Sequence, residues 1–110
     1  MAFISGDEMK KVAVKHLTQY EICWCVELAE CRLRGEAVRE PIPNYCADWS
    51  KAGPIIERER IYLREAINGS GRAIASCANT DLFAEHSNML VAAMACYVLA
   101  TFGDVVEIPK

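Results

Sequence analysis

The chain is 110 residues long, 53% hydrophobic and 25% charged, with 12 basic and 15 acidic side chains and a net charge of −3. That balance suits one folded unit with a single modest core, and it excludes a disordered chain or two independent cores. Glu57, Arg58, Glu59 and Arg60 alternate in sign, so no basic footprint exists for wrapping nucleic acid or an anionic membrane, and neither is expected as a partner.

Residues 1–14 carry no secretory pattern, and residues 1–8 read as a loose leader to a single α+β domain over residues 9–110. The expected location is therefore the cytoplasm. Residues 11–15 alternate Val12 and Val14 with polar or small residues, as a short strand does. Thr18 and Glu21 have the spacing of a capping box, and Leu17 and Ile22 that of a hydrophobic staple, so a helix starts there. Its apolar stripe is Ile22, Val26, Ala29 and Leu33; Glu27, Glu30, Arg32 and Arg34 lie mostly off it, and Gly35 ends it.

Pro41 and Pro43 then force an extended connector. Asp48 caps a second helical segment, Trp49 to Glu59, which Gly53 and Pro54 are expected to split into two short pieces. Two short apolar-alternating runs, 61–66 and 72–77, flank Asn68-Gly-Ser-Gly71 and predict a β-hairpin. A loop through Asn79-Thr-Asp81 leads to Ser87 as the cap of a final helix that ends near Phe102, with Gly103 in the left-handed stop position. The expected fold is α+β, with helices packed on a small antiparallel sheet. A lone hairpin is marginal, so residues 12–14 or 105–108 are expected to add a strand to it.

The final helix, Met89–Phe102, has no charged residue. It falls short of the roughly 20 apolar residues that span a bilayer. Leu90, Met94, Val98 and Thr101 form one stripe, and Met89, Ala93, Tyr97 and Phe102 a second. A small sheet covers one of them. The other falls to the first helix or to a second copy of the chain, so a homodimer through this helix is one of two expectations.

Six cysteines without a Cys-x-x-Cys pair read as free thiols rather than a zinc site or a disulfide framework. His16 and His86 each stand near a helix cap, and no nucleophile motif or phosphate-cradling loop accompanies them. No catalytic role, metal or cofactor is expected. The residues that suit binding are Trp49, Arg58, Arg60, Tyr62 and Arg64. Aromatic and arginine side chains anchor protein interfaces, and Arg58, Arg60 and Arg64 also suit a nucleotide-like anion. Against both stands the ordinary reading, in which Trp49, Ile55 and Ile56 are core and the charges are solvated.

Three segments together resemble a known family. They are Leu17-Thr18 at the first helix, Asp48-Trp with Gly53-Pro-Ile-Ile-Glu-Arg-Glu59, and Ala92-Ala-Met with Cys96-Tyr-Val98 followed by Phe102-Gly-Asp-Val-Val-Glu-Ile-Pro109. The set resembles the small NinX-type proteins of lambdoid phages and prophages, over nearly the whole chain. The chain departs from that pattern at Ala95, where the family usually has arginine, and at Ser87-Asn-Met-Leu90, which replaces a Thr-Pro-Leu helix entry. The resemblance implies a phage or prophage accessory protein in a bacterial cytoplasm and carries no mechanism; the expectation that it acts by binding a host or phage protein rests on the anchors Trp49, Tyr62 and Arg58.

Overall fold

The first helix forms where its cap places it. In the computed structural model, which describes residues 9–78 and 80–109, helix α1 spans Gln19–Arg34. Thr18 N–H donates to Glu21 Oε1 at 2.9 Å and Glu21 N–H donates to Thr18 Oγ1 at 3.2 Å, which completes the capping box. Gly35 closes the helix in the left-handed conformation, φ 71° and ψ 30°. Ile22, Val26 and Ala29 are buried as the stripe requires, but Leu33 lies beyond the covered length and is exposed.

Helix α2, Trp49–Glu59, is one continuous helix and not the two pieces expected. Proline inside a helix removes one hydrogen bond and crowds the residue before it. Gly53 has no Cβ for the Pro54 ring to strike, and Pro54 faces solvent, so the helix passes through. Asp48 caps it by accepting from Ser50 N–H at 2.9 Å.

The expected hairpin is present as β2 (Ile61–Glu65) and β3 (Ala73–Cys77), paired antiparallel with Tyr62 opposite Ser76 and Arg64 opposite Ile74. A third strand, β4 (Phe83–His86), joins β3 where a loop was expected. Residues 9–13 form β1 (Met9–Ala13) and residues 105–109 form β5 (Val105–Pro109). Neither extends the hairpin: they pair with each other in a separate two-stranded sheet, Met9 opposite Pro109 and Ala13 opposite Val105. Three helices and two small antiparallel sheets thus make an α+β fold. The leader expected over residues 1–8 lies outside the described residues.

Helix α3, Met89–Phe102, is the centre. Its N-cap is Asn88, not Ser87: Asn88 Oδ1 accepts from Leu90 N–H at 2.9 Å and from Val91 N–H at 3.2 Å. Ala73, Ala75 and Cys77 of β3 alternate inward onto one side of α3, and α1 packs on another. The middle of both expected stripes is therefore covered within one chain, with Leu90, Met94 and Val98 buried and Ala93 and Tyr97 buried beside them, while Met89 and Thr101 at the helix ends are exposed. No helix among the described residues is long and apolar enough to cross a membrane.

Gly103 departs from the left-handed stop expected of it. At φ 90° and ψ −167° it occupies a region open essentially to glycine alone, and this turns the chain from α3 into β5. A Cβ there would meet nothing within 4 Å, so the cost of a side chain is backbone strain alone. Gly103→Ala is expected to lower the unfolding free energy by about 1–3 kcal/mol, read as a lower urea midpoint at constant slope; an unchanged midpoint would show the turn to be relaxed.

Candidate functional site

Two carboxylates of α1, Glu27 and Glu30, are buried to 9% exposure although the first helix was expected to hold its charges off the covered face. The connector and the neighbouring helices close over them. Tyr45 O–H donates to Glu27 Oε1 at 2.7 Å, and Tyr97 O–H of α3 donates to Glu30 Oε2 at 2.6 Å. Arg58 of α2 grips Glu30 with two parallel bonds, Nη1 to Oε1 at 3.0 Å and Nη2 to Oε2 at 2.8 Å. The same guanidinium lies 5.7 Å from the Tyr97 ring centre and donates from Nε to Glu59 at 2.7 Å. Arg34 approaches Glu27 at 3.7 Å and pairs with Glu36.

The electrostatics follow from these contacts. Bonding from Arg58, reinforced by Tyr97, holds the Glu30 carboxyl below its ordinary value of 4.5. Burial, and then the carboxylate each one faces, push Tyr45 and Tyr97 well above the ordinary 10. This arrangement joins three helices and the connector, and no fully buried side-chain nitrogen or oxygen among the described residues lacks a partner, which suits a structural tie more than a site that exchanges partners.

The five residues expected to bind do not form one cluster. Arg58 is committed to Glu30 and Tyr97. Arg60 takes the left-handed cap of α2 at φ 53°, a position glycine usually fills, and its carbonyl accepts from Ala78 N–H at 3.1 Å. Trp49, read above as ordinarily core, is 53% exposed on the first turn of α2. It stands nine residues from Arg58, hence about 13 Å away along the axis and on the opposite side of the helix.

Tyr62 and Arg64 are together. Strand alternation puts both on the outer face of the three-stranded sheet, away from α3, and both are exposed. The register places Tyr62, Ser76 and Phe83 in one row across the sheet, and Arg64, Ile74 and Glu85 in the next. Tyr62 is 62% and Phe83 61% exposed. Arg72 pairs with Glu85 at 2.9 Å and so balances that carboxylate. Phe83 is not among the residues that the sequence singles out, because the alternation of Phe83 and Glu85 with Ala84 and His86 spans only four residues.

All six cysteines are free and buried. Cys77 and Cys96 lie with their sulfurs 3.3 Å apart, and burial pushes Cys96 up to about 12. Cys23 is drawn down to about 6 by the Cys46 thiol and by main-chain amides of the connector, while Cys46 moves up. Only 4% of Cys23 reaches solvent. Among the described residues no three His, Cys, Asp or Glu side chains are arranged to hold a metal ion.

Residues 13–101 match the family model described as Bacteriophage P22, NinX. The match covers most of the chain, which therefore belongs to the NinX family and is a phage-type accessory protein. A comparison with curated proteins gives no match.

The tie at Glu30 has a pH signature. A carboxyl held below its unfolded value stabilises the fold above that value and loses this contribution as pH falls through the lower native one. Glu30 behaves this way, as do Glu21 and Asp48 at their caps. Stability is thus expected to fall as pH drops below about 4.5. Glu30→Gln is expected to lower stability near neutral pH by about 1–3 kcal/mol and to make the acid limb shallower, read by urea unfolding across pH 3–7. A limb as steep as the parent's would mean that Glu30 contributes nothing to it.

Proposed function

We propose that this NinX-family chain acts without catalysis, by binding a host or phage protein in the bacterial cytoplasm through the outer face of its three-stranded sheet. One observation carries this reading: Tyr62 and Phe83 stand in a single cross-strand row, each more than half exposed, beside the Arg64 guanidinium. Large aromatic side chains are costly to leave in water, and Tyr and Arg are among the residues that dominate interface energies. Ser76 between the two rings and Ile74 between Arg64 and Glu85 keep the face flat enough for close apposition.

The alternative, capture of a nucleotide-like anion by Arg58, Arg60 and Arg64, has less support. Arg58 already holds a carboxylate by both its terminal nitrogens, and an anion would have to displace Glu30 into an uncompensated buried state. Self-association through α3 has less support as well, since Leu90, Ala93, Met94, Tyr97 and Val98 are already buried within one chain.

Affinity capture from phage-infected cells tests the proposal. The chain carrying Tyr62→Ala and Arg64→Ala together is expected to lose a protein that the parent retains, with stability changed by less than about 1 kcal/mol, because both residues are exposed. An unchanged set of captured proteins would remove this face from consideration.

A further inference from the structure

We propose a second binding site: a groove along the free edge of β4 that takes one extended segment of another polypeptide as an added strand. The site lies on a different surface from Tyr62 and rests on the protein-binding reading only for the class of partner.

The groove encloses about 590 Å³, within the range of built ligand clefts. Val91, Ala95 and Leu99, one turn apart on α3, form its floor. One wall is β4 and the other is the turn after β1, with Val14 and Leu17, together with Val105 of β5. Two walls with a helix beneath suit an extended chain lying lengthwise between them.

The hydrogen-bond pattern identifies the occupant as a polypeptide. Ala66 N–H donates to Arg72 O at 2.8 Å and Ala78 N–H donates to Arg60 O at 3.1 Å, so the even-numbered residues of β3 bond toward β2. Ala73 and Ala75 therefore bond toward β4, where they oppose His86 and Ala84. It follows that the main-chain groups of Phe83 and Glu85 point the other way, along the groove. Arg72 Nη2 occupies the Glu85 carbonyl at 3.3 Å. The Glu85 N–H and both groups of Phe83 are left for an incoming strand, the arrangement that strand addition uses.

Charge narrows the segment further. The Glu85 carboxylate is balanced by Arg72. Lys15 and Asp104, side by side on the far wall through the 2.9 Å bond from Val14 N–H to Asp104 O, make no ion pair among the described residues. A complementary segment alternates apolar residues over Ala95 with polar ones outward, and carries one acidic and one basic residue toward that wall.

The test is selection of displayed random peptides, about eight residues long, against the folded chain, followed by affinity measurement with the resynthesised peptides by fluorescence anisotropy. Selected peptides are expected to alternate apolar and polar positions. Their Kd is expected to rise about tenfold or more with Ala95→Phe, which fills the floor, and independently with Glu85→Pro, which removes an outward N–H and leaves the β3 ladder intact. Tyr62→Ala should leave it within roughly twofold. Peptides without alternation would overturn the proposal. So would peptides that lose affinity with Tyr62→Ala but not with the groove variants, or a parent dimer that Glu85→Pro converts to monomer, since a second copy would then hold the edge. Loss of protein capture with Tyr62→Ala and Arg64→Ala is read separately, so either surface can fail alone.

Discussion

Everything in this structure is arranged around the need to enclose α3. A 14-residue helix without a charge offers no face to water, so burial has to come from several directions at once. The chain meets that need with small partners. Ala73 and Ala75 on β3, and the buried Ala92 and Ala93 on the helix itself, are small enough for close packing, while α1 packs on another side. The two sheets stay separate, and α3 contacts strands of both.

The buried acids answer a second requirement. Three helices packed on apolar surface alone can slide, since apolar contact has no direction. Glu27 and Glu30 supply direction: each accepts from a tyrosine on another element, and Glu30 is also held from α2. Unpaired, either carboxylate would destabilise the interior. Bonded, Glu30 ties α1 to α2 and α3 and Glu27 ties α1 to the connector, at an energetic gain smaller than the bond count suggests.

The features legible in the sequence are the local ones. The capping box at Thr18, the Asp48 cap and the hairpin turn are each set by residues a few positions apart, and they appear as read. What the sequence hid is decided by distant partners. The partner of Arg58 lies 28 residues away, and Glu27 looked like a solvated charge although Cys23, Glu27 and Cys31 recur along one line of α1 at four-residue spacing. Strand β4 has only four residues and mixed polarity, too short a pattern to distinguish from loop. The candidate surface was half visible: two-residue spacing placed Tyr62 and Arg64 together, whereas Phe83 joins them only through the pairing of β3 with β4.

The pairing of Met9 with Pro109 has a kinetic meaning as well as a structural one. Strand β1 is made before any helix, yet its only ladder partner among the described residues is β5, separated from it by the whole length of α1, α2 and α3. Such a closure is among the most non-local contacts a chain of this size can make, and its loop entropy has to be met before the ladder returns anything. During synthesis α1 and the β2–β3 hairpin can form from local contacts, while β1 waits as an open edge until β5 emerges. The ladder that encloses the three helices therefore forms late, and the stage most exposed to mispairing is the interval in which β1 is made and β5 is not.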